Sequence, residues 1–176
     1  MKKNALTALV LCAGMALAGC SNNAPAADGS GAATTETAAN PSAKSEGVMT
    51  YQEYMDAELE SEVTIEAYVQ AKQSWWEDKA TIYAQDGDGA YFIYNAAVSE
   101  DLYEQLTEGT KIKVKGFKTE WSGEVEIAEG AEVEVVEGEK WTATATDVTD
   151  LLANEEELIK HQNEFVQFKD LTVAPA

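Results

Sequence analysis

The sequence of 176 residues contains no arginine, so all of its basic residues are lysines. Arginine presents a rigid fork of hydrogen-bond donors that phosphate and nucleic-acid sites use widely. The formal net charge of −20 at pH 7 would also repel a polyanion. The composition therefore argues against a nucleic-acid partner and is typical of an acidic protein that stays soluble through its charge.

Histidine is almost as scarce, because His161 is the only one in the sequence and lies near its C-terminal end. No second imidazole is available as a metal ligand or as a partner in acid–base catalysis. The 32 acidic residues are so numerous that no particular carboxylate pair stands out as catalytic. We therefore expect no enzymatic activity, no cofactor and no metal site.

The first 20 residues have the layout of a secretory signal. Two lysines follow Met1, and the apolar run over residues 5–17 is too short to span a bilayer. The ending Leu17-Ala18-Gly19-Cys20 resembles a bacterial lipobox, which implies cleavage before Cys20 and a lipid on that cysteine. Cleavage would remove Cys12, the only other cysteine, so no thiol would remain for a disulfide or a nucleophile. The alternatives are an ordinary signal peptide and a hydrophobic N-terminus that stays attached.

Residues 20–47 are rich in Ala, Ser, Thr, Asn and Gly and contain few large apolar side chains. Such a segment cannot bury enough surface to offset its conformational entropy. We expect a flexible tether between a signal peptide at residues 1–19 and a folded domain at residues 48–141. The tether would connect that domain to a membrane through the lipid on Cys20.

Residues 79–95 carry the clearest structural signal, two runs of β-branched and aromatic residues joined by Asp86-Gly87-Asp88-Gly89. Alternating aspartate and glycine between such runs predicts a hairpin turn. A calcium loop is the alternative, but it needs a glutamate at its twelfth position, which here is Ala97. The hairpin supplies the second and third strands of the domain, and Ile82 and Ile93 are expected to point inward.

The other predicted elements surround this hairpin. Residues 63–70 alternate apolar and polar side chains and predict the first strand, and Ser99 opens a short helix that ends at Leu106. Residues 110–118 and 124–128 predict the fourth and fifth strands, and residues 131–136 extend the chain further. This order predicts an all-β fold, a five-stranded Greek-key OB-type barrel with one short helix between strands 3 and 4. The predicted core contains Ile65, Ile82, Ile93, Val114 and Ile127.

Three stretches, VTIEAYVQ, the DGDG turn and LTEGTKIKVKGFKTEWSGEVEI, resemble the OB-type modules of secreted bacterial lipoproteins. The resemblance covers roughly residues 49–141 and brings no catalytic motif with it. Relatives commonly have glycine in the middle of the first strand, where this chain has Ala67. The resemblance implies a binding module rather than an enzyme.

The tail, residues 142–176, is predicted as a linker up to Thr146, a helix over residues 147–162 and a strand over residues 164–173. Residues 49–60 predict a short acidic helix or turn before the first strand, with Thr50 and Glu53 at the spacing of a capping box. The tail repeats this order of an acidic helical segment followed by a strand. The tail is therefore either an appendage or the beginning of a second OB-like repeat.

Six aromatic residues are candidates for a ligand-binding face. The strand 1–2 loop and the strand 4–5 loop flank the face with which OB barrels bind oligonucleotides and oligosaccharides. Aromatic rings there would bind a flat or sugar-like ligand with little need for charge. The alternative is that the rings close the ends of the barrel. The candidates are Trp75, Trp76, Tyr83, Tyr91, Tyr94 and Trp121.

Four lysines, Lys111, Lys113, Lys115 and Lys118, are predicted to share the outer face of strand 4. We expect them to pair across the sheet with Glu124 and Glu126 of strand 5, which would stabilise the hairpin modestly.

These expectations together describe an exported, non-enzymatic module that is lipid-anchored to the bacterial cell membrane or envelope through Cys20. Its ligand would be an oligosaccharide, a peptide or another envelope protein, held on the aromatic face. The alternative is a purely structural or interaction module of a larger envelope protein. Nucleic-acid binding is suggested only by analogy with the fold, and the charge opposes it.

Overall fold

The computed structural model describes residues 40–172. Eight strands, three short helices and two 3-10 turns make up this part of the chain. The elements are α1 (Tyr51–Asp56), β1 (Glu62–Lys72), β2 (Lys79–Gln85), β3 (Ala90–Ala97), α2 (Glu100–Gln105), β4 (Lys111–Trp121), β5 (Glu124–Ile127), β6 (Glu132–Val135), β7 (Thr146–Asp147), a 3-10 turn (Thr149–Leu151), α3 (Glu155–Leu158), a second 3-10 turn (Ile159–His161) and β8 (Val166–Gln167).

The first five strands close into a barrel. Their order is β1-β2-β3-β5-β4, and β4 returns to pair with β1. All of these pairs are antiparallel except β3–β5, which is parallel. The helix α2 connects β3 to β4, and β6 adds to the edge of β4. The chain therefore has the predicted all-β fold, an OB-type barrel with one short helix between strands 3 and 4.

Alternation along the strands sends one set of apolar side chains into the barrel. The predicted core residues Ile65, Ile82, Ile93, Val114 and Ile127 are all fully buried in one cluster, which confirms the inward register. Gly116 lies at a point where β4 packs directly against the Ile127 side chain. A Cβ at this position would lie 2.6 Å from the Ile127 Cγ2 atom, so a larger residue would displace its neighbours.

The segment before α1 is not the flexible tether that its composition predicts. Within residues 40–47, the Lys44 ammonium donates to the Glu66 carbonyl at 2.7 Å and to the Asp86 carboxylate. The Ser45 amide donates to the Glu66 carboxylate at 3.2 Å. We call residues 40–47 the strap; for these residues the prediction of flexibility is wrong. The predicted signal peptide, Cys20 and the rest of the tether lie outside the described residues.

The four lysines of β4 do not all lie on one face of the strand. Lys115 pairs with Glu62 and Lys111 with Glu66, both on β1 rather than on β5. Lys118 is even-numbered like the inward residues of β4, so it points inward and is buried. Its ammonium donates to the carbonyls of Met55 and Ala57 at the end of α1. The predicted pairing with Glu124 and Glu126 is therefore wrong.

The tail is less regular than predicted. The expected helix over residues 147–162 is replaced by two 3-10 turns and the four-residue α3. The expected strand is only two residues long, and β8 pairs in parallel with β7, which lies at the end of the predicted linker. Residues 173–176 lie outside the described part. No helix within residues 40–172 is both long and apolar enough to cross a membrane.

Candidate ligand-binding face

Aromatic side chains gather on the outer side of the β2–β3 pair. Tyr83 lies directly opposite Phe92, and the centres of their rings are 5.1 Å apart. Phe92 and Tyr94 are two residues apart on β3 and therefore point to the same side. Their ring centres are 6.4 Å apart and the planes are inclined by 29°. These three rings form a continuous apolar patch on the sheet.

A β-bulge sets the position of Tyr94. The register of the β2–β3 pair shifts between Ala80 and Ile82, and the extra residue on β3 is accommodated at Asn95. Asn95 has a φ of 43°, and its amide donates to the Thr81 hydroxyl at 3.2 Å. Bulges of this kind re-aim neighbouring side chains, and Tyr94 is exposed beside this one.

Trp121 completes the patch from the end of β4. It pairs with Glu124 across a two-residue turn in which Ser122 and Gly123 have φ values of 52° and 91°. Positive φ at both central residues matches the twist of a tight hairpin and fixes the register of the two flanking strands. The Trp121 side chain is 72% exposed. We call Tyr83, Phe92, Tyr94 and Trp121 the aromatic face.

A surface cavity of about 430 Å³ opens on this face, lined by Phe92, Tyr94, Trp121, Glu124 and Glu126. Its walls combine three aromatic rings with two carboxylates from β5. Among the described residues, no lysine lines this cavity. The site therefore presents rings and negative charge together.

Glu126 is the more buried of the two carboxylates, with 9% of its surface exposed. Burial raises the pKa of Glu126 above the ordinary glutamate value, and the neighbouring charge of Glu124 raises it further. Within residues 40–172 neither glutamate side chain forms an ion pair or a hydrogen bond. The two negative charges at this site are thus left uncompensated by the residues that the structure describes.

The tail contacts the strand that carries both glutamates. The Val125 amide, between Glu124 and Glu126, donates to the Gln162 side chain at 2.8 Å. The Phe165 amide donates to the side chain of Gln85, at the end of β2, at 2.9 Å. The tail therefore holds β5 and the end of β2 beside the aromatic face.

The tryptophans of the β1–β2 loop lie outside the cavity. Trp75 is half-buried, and its indole N–H donates to the Val98 carbonyl at 2.8 Å. Trp76 is 72% exposed and exchanges backbone hydrogen bonds of 3.0 Å with Lys79 across a tight turn. The structure therefore gathers Tyr94 and Trp121 around the cavity, with Tyr83 beside them, and separates Trp75 and Trp76 from it.

Tyr91 is not part of the face, contrary to the prediction. Its side chain is fully buried in the barrel core, and its hydroxyl donates to the Asp86 carboxylate at 2.8 Å. Burial and then the charge of Asp86 raise the pKa of Tyr91. Tyr91 shares the inward side of β3 with Ile93, so the two-residue period excludes it from the face.

Phe92, Glu124 and Glu126 are the site residues that the sequence reasoning missed. Phe92 could have been found because it lies two residues before Tyr94 on the same strand. The two glutamates were assigned to lysine partners on β4, which hid them as site residues. Their position beside β3 follows from the parallel pairing of Phe92 with Glu126, which no local pattern reveals.

The described residues contain no group of three histidine, cysteine, aspartate or glutamate side chains that could hold a metal ion. His161 lies in the tail, where its Nδ1 atom is 2.9 Å from the Glu164 carboxylate.

The sequence matches no protein-family model and no curated protein. Solved structures with a similar fold include a chain of a replication protein A heterotrimer bound to ssDNA, which is 18% identical with a TM-score of 0.37. That match covers 47% of this chain and 62% of the other. The hypothetical protein ygiW from E. coli is 15% identical with a TM-score of 0.37, over 51% of this chain and 89% of that one. Aspartyl tRNA synthetase from Entamoeba histolytica is 18% identical with a TM-score of 0.43, over 72% of this chain and 30% of that one. At these identities the likeness concerns the fold alone.

Proposed function

We propose that the chain is an exported, lipid-anchored and non-enzymatic OB-type module that binds a ligand on the aromatic face. The observation that carries the proposal is the surface cavity lined by the side chains of Phe92, Tyr94 and Trp121. Exposed aromatic side chains clustered around a depression are typical of binding sites, because a ligand that covers them removes apolar surface from water. Barrels of this class commonly place their ligands on this side.

The location part of the proposal rests on the N-terminal sequence. The lipobox-like Leu17-Ala18-Gly19-Cys20 follows an apolar run with a positive start. A lipid on Cys20 would tether the barrel to a membrane. The test is fractionation of cells that express Cys20→Ser: the variant is expected to leave the membrane fraction, and continued retention with the signal cleaved would contradict the anchor.

The binding part is tested by titrating the protein with peptides, sugar oligomers and single-stranded DNA while tryptophan fluorescence is followed. Stacking on an aromatic ring contributes about 1–3 kcal/mol, so Trp121→Ala should weaken binding of the ligand about tenfold or more. The melting temperature should stay nearly unchanged because Trp121 is largely exposed.

Phe117→Ala is the matched control. Phe117 lies on the same strand as Trp121 and is exposed, but it does not line the cavity. Equal effects of Trp121→Ala and Phe117→Ala, or no binding of any probe, would favour a purely structural module. Tight, salt-sensitive binding of the DNA would contradict the exclusion of nucleic acid as a partner.

A further inference from the structure

We infer that the aromatic face recognises a basic side chain, lysine or arginine, of an extended segment of a partner protein. The positive group would lie between the rings of Phe92, Tyr94 and Trp121 and the carboxylates of Glu124 and Glu126. This inference rests on the proposed function and identifies the chemical class of its ligand.

The carboxylates provide the first argument. The fold gives its other buried acids a lysine: Glu66 pairs with Lys111 at 2.9 Å, and Asp86 pairs with Lys44. Glu126 is also buried, yet within residues 40–172 no lysine reaches it, and its nearest charged neighbour on β5 is another glutamate. A charge partly withdrawn from water is destabilised unless it is paired. A cation from outside the chain would supply the missing partner.

The rings provide the second argument. Ammonium and guanidinium groups are attracted to the faces of aromatic rings, most strongly to tryptophan. The same chain uses this contact internally, since the Lys72 ammonium lies 3.5 Å from the centre of the Tyr103 ring. A cavity that offers tryptophan, tyrosine and phenylalanine beside two carboxylates satisfies both the charge and the alkyl stem of a basic side chain.

The shape of the site favours a peptide over a small free cation. The rings of Tyr83, Phe92 and Tyr94 lie side by side on the sheet, with centres 5.1 and 6.4 Å apart, rather than enclosing a cage. Alternate side chains of an extended peptide are about 6.6 Å apart, which is close to the distance of 6.4 Å between the ring centres of Phe92 and Tyr94. A neighbouring residue of the partner could therefore contact a second ring.

The loops that flank the sheet repeat the combination of tryptophan and acid. Exposed Trp76 is followed by Glu77 and Asp78, and Trp121 is preceded by Glu120. With a net charge of −20, the chain is complementary to a basic partner and would attract it over a distance. This complementarity commits the inference to a basic segment of a protein.

The experiment compares two peptides of the same sequence, one with arginine and the other with citrulline, its neutral near-isostere. The full chain is titrated with each by tryptophan fluorescence at low and at high salt. The arginine peptide is expected to bind at least tenfold more tightly than the citrulline peptide, and its affinity should fall as salt rises. Equal affinities for the two peptides would overturn the inference.

Glu124→Gln and Glu126→Gln together are expected to weaken binding of the arginine peptide about tenfold and to reduce its advantage over the citrulline peptide by the same factor. Glu58→Gln, the same substitution at an exposed position outside the site, is the control for each single glutamate variant. If Trp121→Ala abolishes binding of a neutral probe and the glutamate variants change nothing, the binding face stands and the basic-ligand inference falls. If arginine amide alone binds as tightly as the peptide, the protein-partner part falls.

Discussion

Lys44 on the strap donates to Asp86 in the β2–β3 turn, where the Asp86 side chain is fully buried. The same carboxylate accepts the Tyr91 hydroxyl at 2.8 Å and the amides of Asp88 and Gly89 at 2.6 and 2.9 Å. One buried acid thus joins three parts of the fold: the strap, the hairpin turn and the barrel core. Its charge is compensated by hydrogen bonds and by a single lysine from outside the barrel.

Replacing Lys44 with methionine is expected to lower the free energy of unfolding by about 3–5 kcal/mol, because the buried Asp86 side chain would lose its cation. Urea denaturation at pH 7 measures the change. Lys160→Met is the control, since the Lys160–Glu157 pair is exposed and should contribute little. Equal stabilities of the two variants would contradict a structural role for the strap.

The stability of the folded protein should also depend on pH through Glu66, whose carboxylate accepts the Ser45 amide of the strap. Burial by itself would raise the pKa of Glu66, but hydrogen bonds from Ser45 and Lys111 together with the Lys111 charge lower it below 4.5. The other cations near Glu66 are Lys113, opposite it on β4, and Lys44, which binds its carbonyl. The folded state therefore favours the ionised form of Glu66.

A lowered pKa in the folded state contributes stability above the unfolded pKa and loses it as pH falls through the folded pKa. Stability should thus decline below about pH 4.5 more steeply in the parent than in Glu66→Gln, which has no proton to gain. Urea denaturation of both proteins from pH 7 to pH 3 measures the two slopes. Parallel pH profiles would show that the pairing of Glu66 with Lys111 does not couple folding to protonation.

The two adjacent tryptophans should respond differently to the same substitution. Trp75→Phe removes the indole donor from the Val98 carbonyl and should cost about 0.5–1.5 kcal/mol of stability. Trp76→Phe is the matched control and should change the free energy of unfolding by less than about 0.5 kcal/mol, because Trp76 is largely exposed. Thermal and urea unfolding compare the variants. A larger loss from Trp76→Phe would mean that the loop packs differently in solution.

Signals that act over a few residues were readable without the structure. Thr50 and Glu53 have the spacing of a capping box, and they form one at the start of α1. The hairpin turns at Asp86-Gly87-Asp88-Gly89 with a backbone hydrogen bond from Asp86 to Gly89. Both depend on chemistry between near neighbours, which the order of residues specifies directly. The inward register of the strands follows in the same way from a two-residue period.

The errors arise where partners are distant in sequence. The sequence predicts Lys118 on the outer face of β4. Its ammonium instead donates hydrogen bonds to carbonyls at the end of α1, about 60 residues earlier in the chain. The strap was expected to be flexible because its composition is polar and small, yet Lys44 reaches a carboxylate 42 residues away. The composition of a segment indicates how much apolar surface it can bury by itself. It does not indicate which distant carboxylate a lysine of the segment will contact.

The sequence by itself determined the strands of the barrel, the hairpin turn and the apolar interior, because strand periodicity and turn chemistry are local properties. Only the tertiary structure decided which of the many acids receive a lysine. Closing the barrel brings Lys111 to Glu66 and the strap to Asp86. The parallel approach of β3 and β5 places Glu126 beside Phe92, and no lysine within residues 40–172 pairs with it. The position of an uncompensated charge depends on contacts between distant strands, and that is why the candidate site emerged from the fold rather than from the pattern of residues.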